Sequence, residues 1–220
     1  MKTHETTVFV VDDDDSVRKA LTRLLGSSGY HVDAYRSAHE FLARGTQLPE
    51  GPACVILDLA MPDLNGLDLQ ALLQAANVPL PILFVTGHGD IPSSVRAMKG
   101  GAVDFLTKPI DETELFDAVR RAVALDDERR RTQAAQEALA QRLARLTPRE
   151  LQVLALVVTG MLNKQIAGQL GTSERTIKVH RARVMQKMEA GSVADLVRIA
   201  DRLGVSGSRR RDDIAAHALD

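Results

Sequence analysis

Short apolar runs that break off into polar residues recur through the first half of the chain. Val8-Phe9-Val10-Val11 stops at Asp12, Val55-Ile56-Leu57 at Asp58, Pro81 to Val85 at Thr86, and residues 102–107 at Lys108-Pro109; a weaker run covers residues 32–35. Runs of this length bounded by Gly, Pro, Asp and Asn read as buried strands. Helical spacing fills the intervals. Val17, Ala20, Leu21, Leu24 and Leu25 share one face, and a Ser37–Glu40 capping box opens a short helix with Phe41 and Leu42. Residues 67–75 and 93–99 are also helical, and a last helix behind Asp111 and Glu114 runs to about Leu125. Strands alternating with helices in this way require a parallel sheet covered on both faces, whose carboxyl ends gather at one mouth.

Beyond residue 125 the strand signal disappears. Ala135, Leu139, Leu143 and Leu146 fall at spacings of four, four and three, a thin seam that fits either a solvated helical linker or a dimerising coiled coil. Thr147-Pro148-Arg149-Glu150 carries a cap, a Pro at the first helical position and a closing Glu. Asn163 is expected to cap a short helix over 164–170, Gly171-Thr172-Ser173 to turn the chain, Ser173 to cap a longer helix to about Met188, and Ser192 with Asp195 to open 193–203. A short helix, a three-residue turn with Gly and a longer helix make a helix-turn-helix. The expected organisation is an α/β domain over 1–125, a helical linker over 126–145, an all-α domain of four helices over 146–205 and a flexible tail over 206–220.

At 220 residues with 45% apolar positions, each domain has material for its own core, which excludes a disordered chain. The formal net charge of -1 hides an asymmetry: residues 1–125 carry 11 Lys and Arg against 17 Asp and Glu, whereas 147–204 carry 9 against 5. An acidic front suits a cation and a basic back suits a polyanion. The single Cys54 precedes an apolar strand and reads as a buried core thiol in a reducing compartment. With no signal segment and no apolar run of membrane-spanning length, the expectation is a cytoplasmic protein without a membrane partner.

Side-by-side packing of the first, third, fourth and fifth strands would bring Asp12, Asp13, Asp58, Thr86 and Lys108 together. Each alone is a weak signal, since acidic runs after strands ordinarily cap the next helix, as Asp14 or Asp15 would here. Jointly they describe a site. Three carboxylates repel unless a cation joins them, and hard oxygen ligands fit Mg²⁺. Such a site suits phosphoryl transfer, with a carboxylate as nucleophile and a lysine sharing the phosphoryl charge. Thr86 could bond the phosphoryl oxygens, with Phe105 repacking as Thr86 moves.

Val10-Val11-Asp12-Asp13, Asp58 with Met61-Pro62 and Gly66, Thr86-Gly87-His88, and Phe105 with Lys108-Pro109 resemble the phosphoacceptor receiver domain of bacterial two-component response regulators over residues 6–125. The resemblance implies a flavodoxin-like five-stranded parallel sheet of order 2-1-3-4-5 and phosphorylation of Asp58 by a sensor histidine kinase. It further implies Mg²⁺ bound by Asp12, Asp13, Asp58 and the backbone carbonyl of Ala60, Thr86 and Phe105 as a switch pair, and a cis Lys108-Pro109 bond. Ala60, which offers no side-chain amide or acid, and His88 are expected to tune how long the phosphoryl group survives.

In the longer basic helix, Ile177, Val184 and Met188 would face the core, leaving Arg175, Lys178, Val179, Arg181 and Ala182 on other faces, with Arg183 a further candidate for DNA contact. Its N-terminal half fits a major groove, where Lys reaches guanine and Val the thymine methyl, while Lys164, Thr172, Ser173 and Thr176 suit phosphates. Basic residues alone would equally describe a solvated face. Leu146-Thr147-Pro148-Arg149-Glu150, Gly160, Asn163-Lys164-Gln165-Ile166-Ala167 and Thr176-Ile177-Lys178-Val179-His180-Arg181 resemble the four-helix DNA-binding domain of the LuxR type, as in the NarL/FixJ branch of response regulators. That resemblance implies base contacts by Lys178 and Val179, a dimer contact on the last helix, and promoter DNA, a phosphorylated homodimer and RNA polymerase as partners. Two other readings remain at this point. A haloacid-dehalogenase-like phosphohydrolase also uses an aspartyl-phosphate but wants an acid where Ala60 stands, and a regulator could act through protein contact without phosphorylation.

Overall fold

The computed structural model describes residues 5–45, 47–87 and 91–205. His88 and the expected tail over 206–220 lie outside the described residues. The chain divides into two compact units between Arg131 and Thr132.

The first unit alternates strands and helices: β1 (Thr7–Val11), α1 (Asp15–Ser27), β2 (His31–Tyr35), α2 (Ala38–Ala43), β3 (Ala53–Asp58), α3 (Gly66–Ala75), β4 (Ile82–Thr86), α4 (Ile91–Lys99), β5 (Asp104–Thr107) and the start of α5 (Glu112–Ala144). The five strands form one parallel sheet of order β2-β1-β3-β4-β5, as the receiver resemblance implies. β1, β3 and β4 are buried along their whole length because both faces are covered there, whereas β2 at the edge of the sheet is partly exposed. Phe9, Val55, Leu57 and Phe84 point into one core with Phe41, Leu69 and Ala97, whereas Val8, Val10, Ile56 and Val85 point into the other with Leu21, Leu25, Leu115 and Val119. The register sets Val11 level with Leu57, Asp58 with Val85 and Thr86 with Thr107, so the strands end together at one edge.

The helix expected to stop near Leu125 instead continues to Ala144. The reason lies in Asp126, whose buried carboxylate accepts the Ala53 N–H at 2.9 Å and the Arg130 Nε at 2.6 Å, with Arg129 also donating to it. A charge taken out of water must be paired, and this one fastens α5 to the start of β3. Within the run of acids and arginines over 126–131, Asp126 is the buried member, with Arg129 and Arg130 half-buried around it.

The second unit comprises the last turns of α5 with α6 (Pro148–Val157), α7 (Asn163–Gln169), α8 (Glu174–Met188) and α9 (Val193–Arg202). Val153, Leu154, Ile166, Ile177, Val184 and Leu196 are among its fully buried residues. Leu139, Leu143 and Leu146 pack against this core, so the apolar seam is covered by its own unit. The Thr147–Glu150 capping box forms, and Ser173 and Ser192 cap α8 and α9. At α7 the expected cap differs: Leu162 precedes the helix, and its N–H donates to Gln165 Oε1 at 2.8 Å. Asn163 is the first helical residue, and its Oδ1 accepts from Arg181 at 3.0 Å. Among the described residues no helix is long and apolar enough to cross a membrane.

Candidate functional site

Asp58 is the last residue of β3, Thr86 the last of β4, and Asp12 and Lys108 follow β1 and β5 directly. Level strand ends therefore bring the side chains of Asp12, Asp58 and Lys108 together, with Thr86 at the end of the adjoining strand. One oxygen from each of Asp12, Asp13 and Asp58 lies within 4.8 Å of the others. Lys108 Nζ donates to Asp12 Oδ2 at 2.7 Å and stands 3.5 Å from Asp58 Oδ2. Asp12 Oδ1 accepts the Asp14 N–H at 2.8 Å, so both oxygens of Asp12 are engaged. By contrast, Asp58 Oδ1 is buried with no hydrogen-bond partner, and Asp13 is exposed.

The charges do not balance within the site. Burial raises the Asp58 carboxyl above its ordinary value, the Asp12 charge pushes the same way, and Lys108 opposes both. Burial disfavours the Lys108 charge as well, but its bond to Asp12 carries it above the usual lysine value. Three carboxylates facing one ammonium, with a buried oxygen lacking a donor, form a donor set that fits a small hard cation.

The surroundings shape this edge closely. A Cβ on Gly66 would come within 2.5 Å of the Asp58 main-chain oxygen and 2.9 Å of the Phe84 ring, so only glycine lets α3 begin so near β3. Thr86 is fully buried, and its main-chain oxygen accepts the Lys108 N–H at 2.7 Å across the strand ends. The Lys108–Pro109 bond is cis. Phe105 is half-buried and lies opposite Phe84, their ring centroids 6.3 Å apart, in the core that covers Thr86's side of β4. Ala60 is exposed just past β3.

Ile91, Val95 and Met98 stand exposed along α4 at helical spacing, by 79%, 44% and 47%. The same unit therefore presents an apolar stripe to solvent beyond the acidic pocket.

In the second unit, Ile177, Val184 and Met188 of α8 are buried, and Arg175, Lys178, Val179 and Ala182 form one exposed stripe. Thr176 and Arg183 are exposed on the adjoining face, and Lys164 is exposed on α7. Ser173 Oγ accepts the Thr176 N–H at 3.2 Å, and Thr172 is half-buried. Arg181 is set apart from this group. Half-buried, it donates to Asn163 and braces α8 against α7. At the other end of α8, Lys187 Nζ donates to Glu150 Oε2 at 2.6 Å and to the Arg145 main-chain oxygen at 3.0 Å.

Residues 8–120 match the response regulator receiver domain, and residues 144–200 match the luxR family of bacterial regulatory proteins. The chain belongs to the response regulator family. It is a two-component regulator with a receiver and a LuxR-type helix-turn-helix DNA-binding domain, from a family of DNA-binding proteins rather than classical enzymes. Nodulation protein W of Bradyrhizobium diazoefficiens is 49% identical over 201 residues, covering 91% of this chain and 88% of that protein. The transcriptional regulatory protein FixJ of Azorhizobium caulinodans is 45% identical over 199 residues, covering 90% and 93%. Among solved structures, the response regulator StyR shares 47% identity with a TM-score of 0.83, covering 90% of this chain and 99% of that one. Full-length FixJ from B. japonicum shares 40% with a TM-score of 0.55, covering 92% and 98%.

Two residues have architectural roles that the residue pattern does not show. Gln70, on α3, is buried and donates to the main-chain oxygens of Ala97 at 3.1 Å and Gly100 at 2.7 Å, satisfying carbonyls at the end of α4. A glutamine among helical polar positions looks solvated until its neighbour is known. Glu150 was visible only as the closing member of a capping box. Its carboxyl is also held down to about 2, chiefly by the Lys187 hydrogen bond.

A depressed carboxyl stabilises the fold above its ordinary value of 4.5, and that contribution is lost as pH falls toward about 2. Glu150→Gln is therefore expected to lower the stability of the second unit by about 1 to 2 kcal/mol at pH 7. In calorimetric melting of the intact chain the gap between wild type and variant should shrink as the pH falls below 4.5. A gap that stays constant from pH 7 to 3 would contradict the ion pair's role.

Proposed function

We propose that phosphorylation of Asp58 switches the regulator, and that the phosphorylated form dimerises and binds promoter DNA. The observation that carries this reading is the Asp58 carboxylate, buried at the sheet mouth with one oxygen lacking a donor and Lys108 beside the other. The donor would be a phosphohistidine on a sensor histidine kinase. An Asp58 oxygen attacks phosphorus, the P–N bond breaks, and the imidazole nitrogen keeps the electron pair and takes up a proton. Asp12, Asp13, Asp58 and the Ala60 carbonyl would hold Mg²⁺, which when bound supplies charge neutralisation for the phosphoryl oxygens.

Lys108 then shares the phosphoryl charge, and the Thr86 hydroxyl turns toward the new oxygens. Phe105, in the same core, repacks behind it and alters the face formed by α4, β5 and α5. The stripe of Ile91, Val95 and Met98 on that face supports dimer formation there, because an exposed apolar row is best covered by a partner. Ala60 leaves the attacking water unhindered by any side-chain amide, and with His88 it sets the phosphoryl lifetime.

On the DNA side, the stripe of Arg175, Lys178, Val179 and Ala182 faces the major groove. Lys178 and Val179 contact bases, whereas Lys164, Thr172, Ser173, Arg175, Thr176 and Arg183 engage phosphates. Arg181 serves DNA binding by holding α7 and α8 together. A dimer contact through α9 gives a two-fold arrangement and an inverted-repeat site.

Treatment with acetyl phosphate is expected to label Asp58, with an absolute need for Mg²⁺ and no label in Asp58→Asn, and sedimentation should show the monomer become a dimer. A label on another residue, or phosphorylation with no change in mass, would sink the corresponding part of the proposal. Lys178→Ala should weaken binding to a specific promoter fragment far more than to random DNA, while Lys164→Ala weakens both and lowers the salt slope by about one. Equal losses on both DNAs for both variants would contradict the assignment of base and phosphate contacts.

A further inference from the structure

We infer that Arg18 is a positioning residue of the acidic site, setting Asp13 in place by tying both ends of the segment from Asp12 to Asp15. Its Nη1 donates to the Asp12 main-chain oxygen at 2.7 Å, and its Nη2 donates to Asp15 Oδ1 at 2.9 Å. Only 16% of the side chain is exposed, so this arginine lies along the loop rather than in solvent. Its own N–H donates to the Asp14 main-chain oxygen at 3.0 Å. One residue therefore reaches the first, third and fourth positions of the four-residue segment that leads into α1. Asp13 is the second.

The other acids of the segment are all bonded. Asp12 gives its main-chain oxygen to Arg18, one carboxylate oxygen to the Asp14 N–H and the other to Lys108. Asp14 caps α1 by accepting the Ser16 N–H at 2.8 Å, and Asp15 holds Lys19 at 2.6 Å as well as Arg18. Asp13 takes part in none of these bonds, so where its carboxylate stands depends on how rigidly its neighbours hold the backbone. A planar two-pronged guanidinium fixes that backbone in a way a lysine's single ammonium does not. The role assigned to Arg18 rests on the reading of Asp12, Asp13 and Asp58 as a Mg²⁺ site.

The sign of one measurement separates positioning from charge. As a bare positive charge near the site, Arg18 would repel a cation, and its removal would tighten Mg²⁺ binding. As a brace, its removal loosens Asp13 and weakens binding, as loss of a residue behind a metal ligand does by about 10- to 100-fold. Isothermal calorimetry of the full-length chain with Mg²⁺ alone is expected to show binding weakened by about tenfold or more in both Arg18→Met and Arg18→Lys, the second of which keeps the charge. Lys19→Met, which removes the other cation paired with Asp15 but leaves the Asp12 oxygen bound, should stay within about twofold of wild type.

Amide hydrogen exchange of the metal-free chain adds a readout that does not depend on the ion. The Asp14 N–H, bonded to Asp12, should exchange faster in both Arg18 variants than in wild type. Unchanged or tighter Mg²⁺ binding in both variants would overturn the proposal, and Arg18→Lys decides alone if Arg18→Met does not fold. If the wild-type chain fails to bind Mg²⁺, the phosphoacceptor reading falls. The exchange result then decides for Arg18, and unchanged Asp14 protection would overturn its bracing role.

Discussion

Excess negative charge at the end of a fully covered sheet is the constraint on which the first unit depends. A parallel sheet with helices on both faces has no solvated face, so polar function is confined to its strand ends. The regulator sets Asp12 and Asp58 there, both buried, and answers them with Lys108. One lysine does not balance three acids, and the donorless Asp58 Oδ1 records the deficit. Everything proposed for the switch follows from that imbalance: a cation or a phosphoryl group changes the charge at the strand ends, and the neighbouring Thr86 and Phe105 respond.

The second unit uses ion pairs differently. Here Glu150, Lys187 and the Arg145 carbonyl clasp the base of α8, and Arg181 with Asn163 clasps its middle against α7. Nothing in that arrangement needs a ligand to complete it. These bonds hold a helix whose Arg175, Lys178, Val179 and Ala182 line up on one exposed stripe. Arg142 also pairs with Glu189, at the left-handed cap that ends α8, so the last turns of α5 belong to the support of the basic helix.

Much of this was legible in the residue pattern because burial on two faces leaves an unmistakable mark. Val8 to Val11 and Val55 to Leu57 are apolar without alternation, and the polar groups that interrupt them are the ones that meet in space. The pattern set Asp12 and Asp13 apart from Asp14 and Asp15 but could not say which of the last two caps α1. Asp14 caps α1 and Asp15 pairs with Arg18 and Lys19, while Asp12 and Asp13 face the site, a division set by local backbone geometry. It also could not tell a buried charge from a solvated one. Asp126 looked like the start of a linker and is fully buried, because its arginine partners lie one turn along the same helix and its third partner, the Ala53 N–H, lies far back in the chain. Asn163 looked like a cap for the same reason that Arg181 looked like a DNA contact: each is a polar residue whose partner is visible only once α7 and α8 are packed.

The two halves have opposite charge and separate cores, and the central claim is that a change of charge at Asp58 governs how residues 147–204 meet DNA. The direct measurement is the affinity of the full-length regulator for a specific promoter fragment, with and without Mg²⁺ and beryllofluoride, beside the Asp58→Asn variant. The phosphoryl mimic is expected to tighten wild-type binding by about tenfold or more and to leave Asp58→Asn unmoved. Equal affinity of the treated and untreated wild-type protein would contradict that claim.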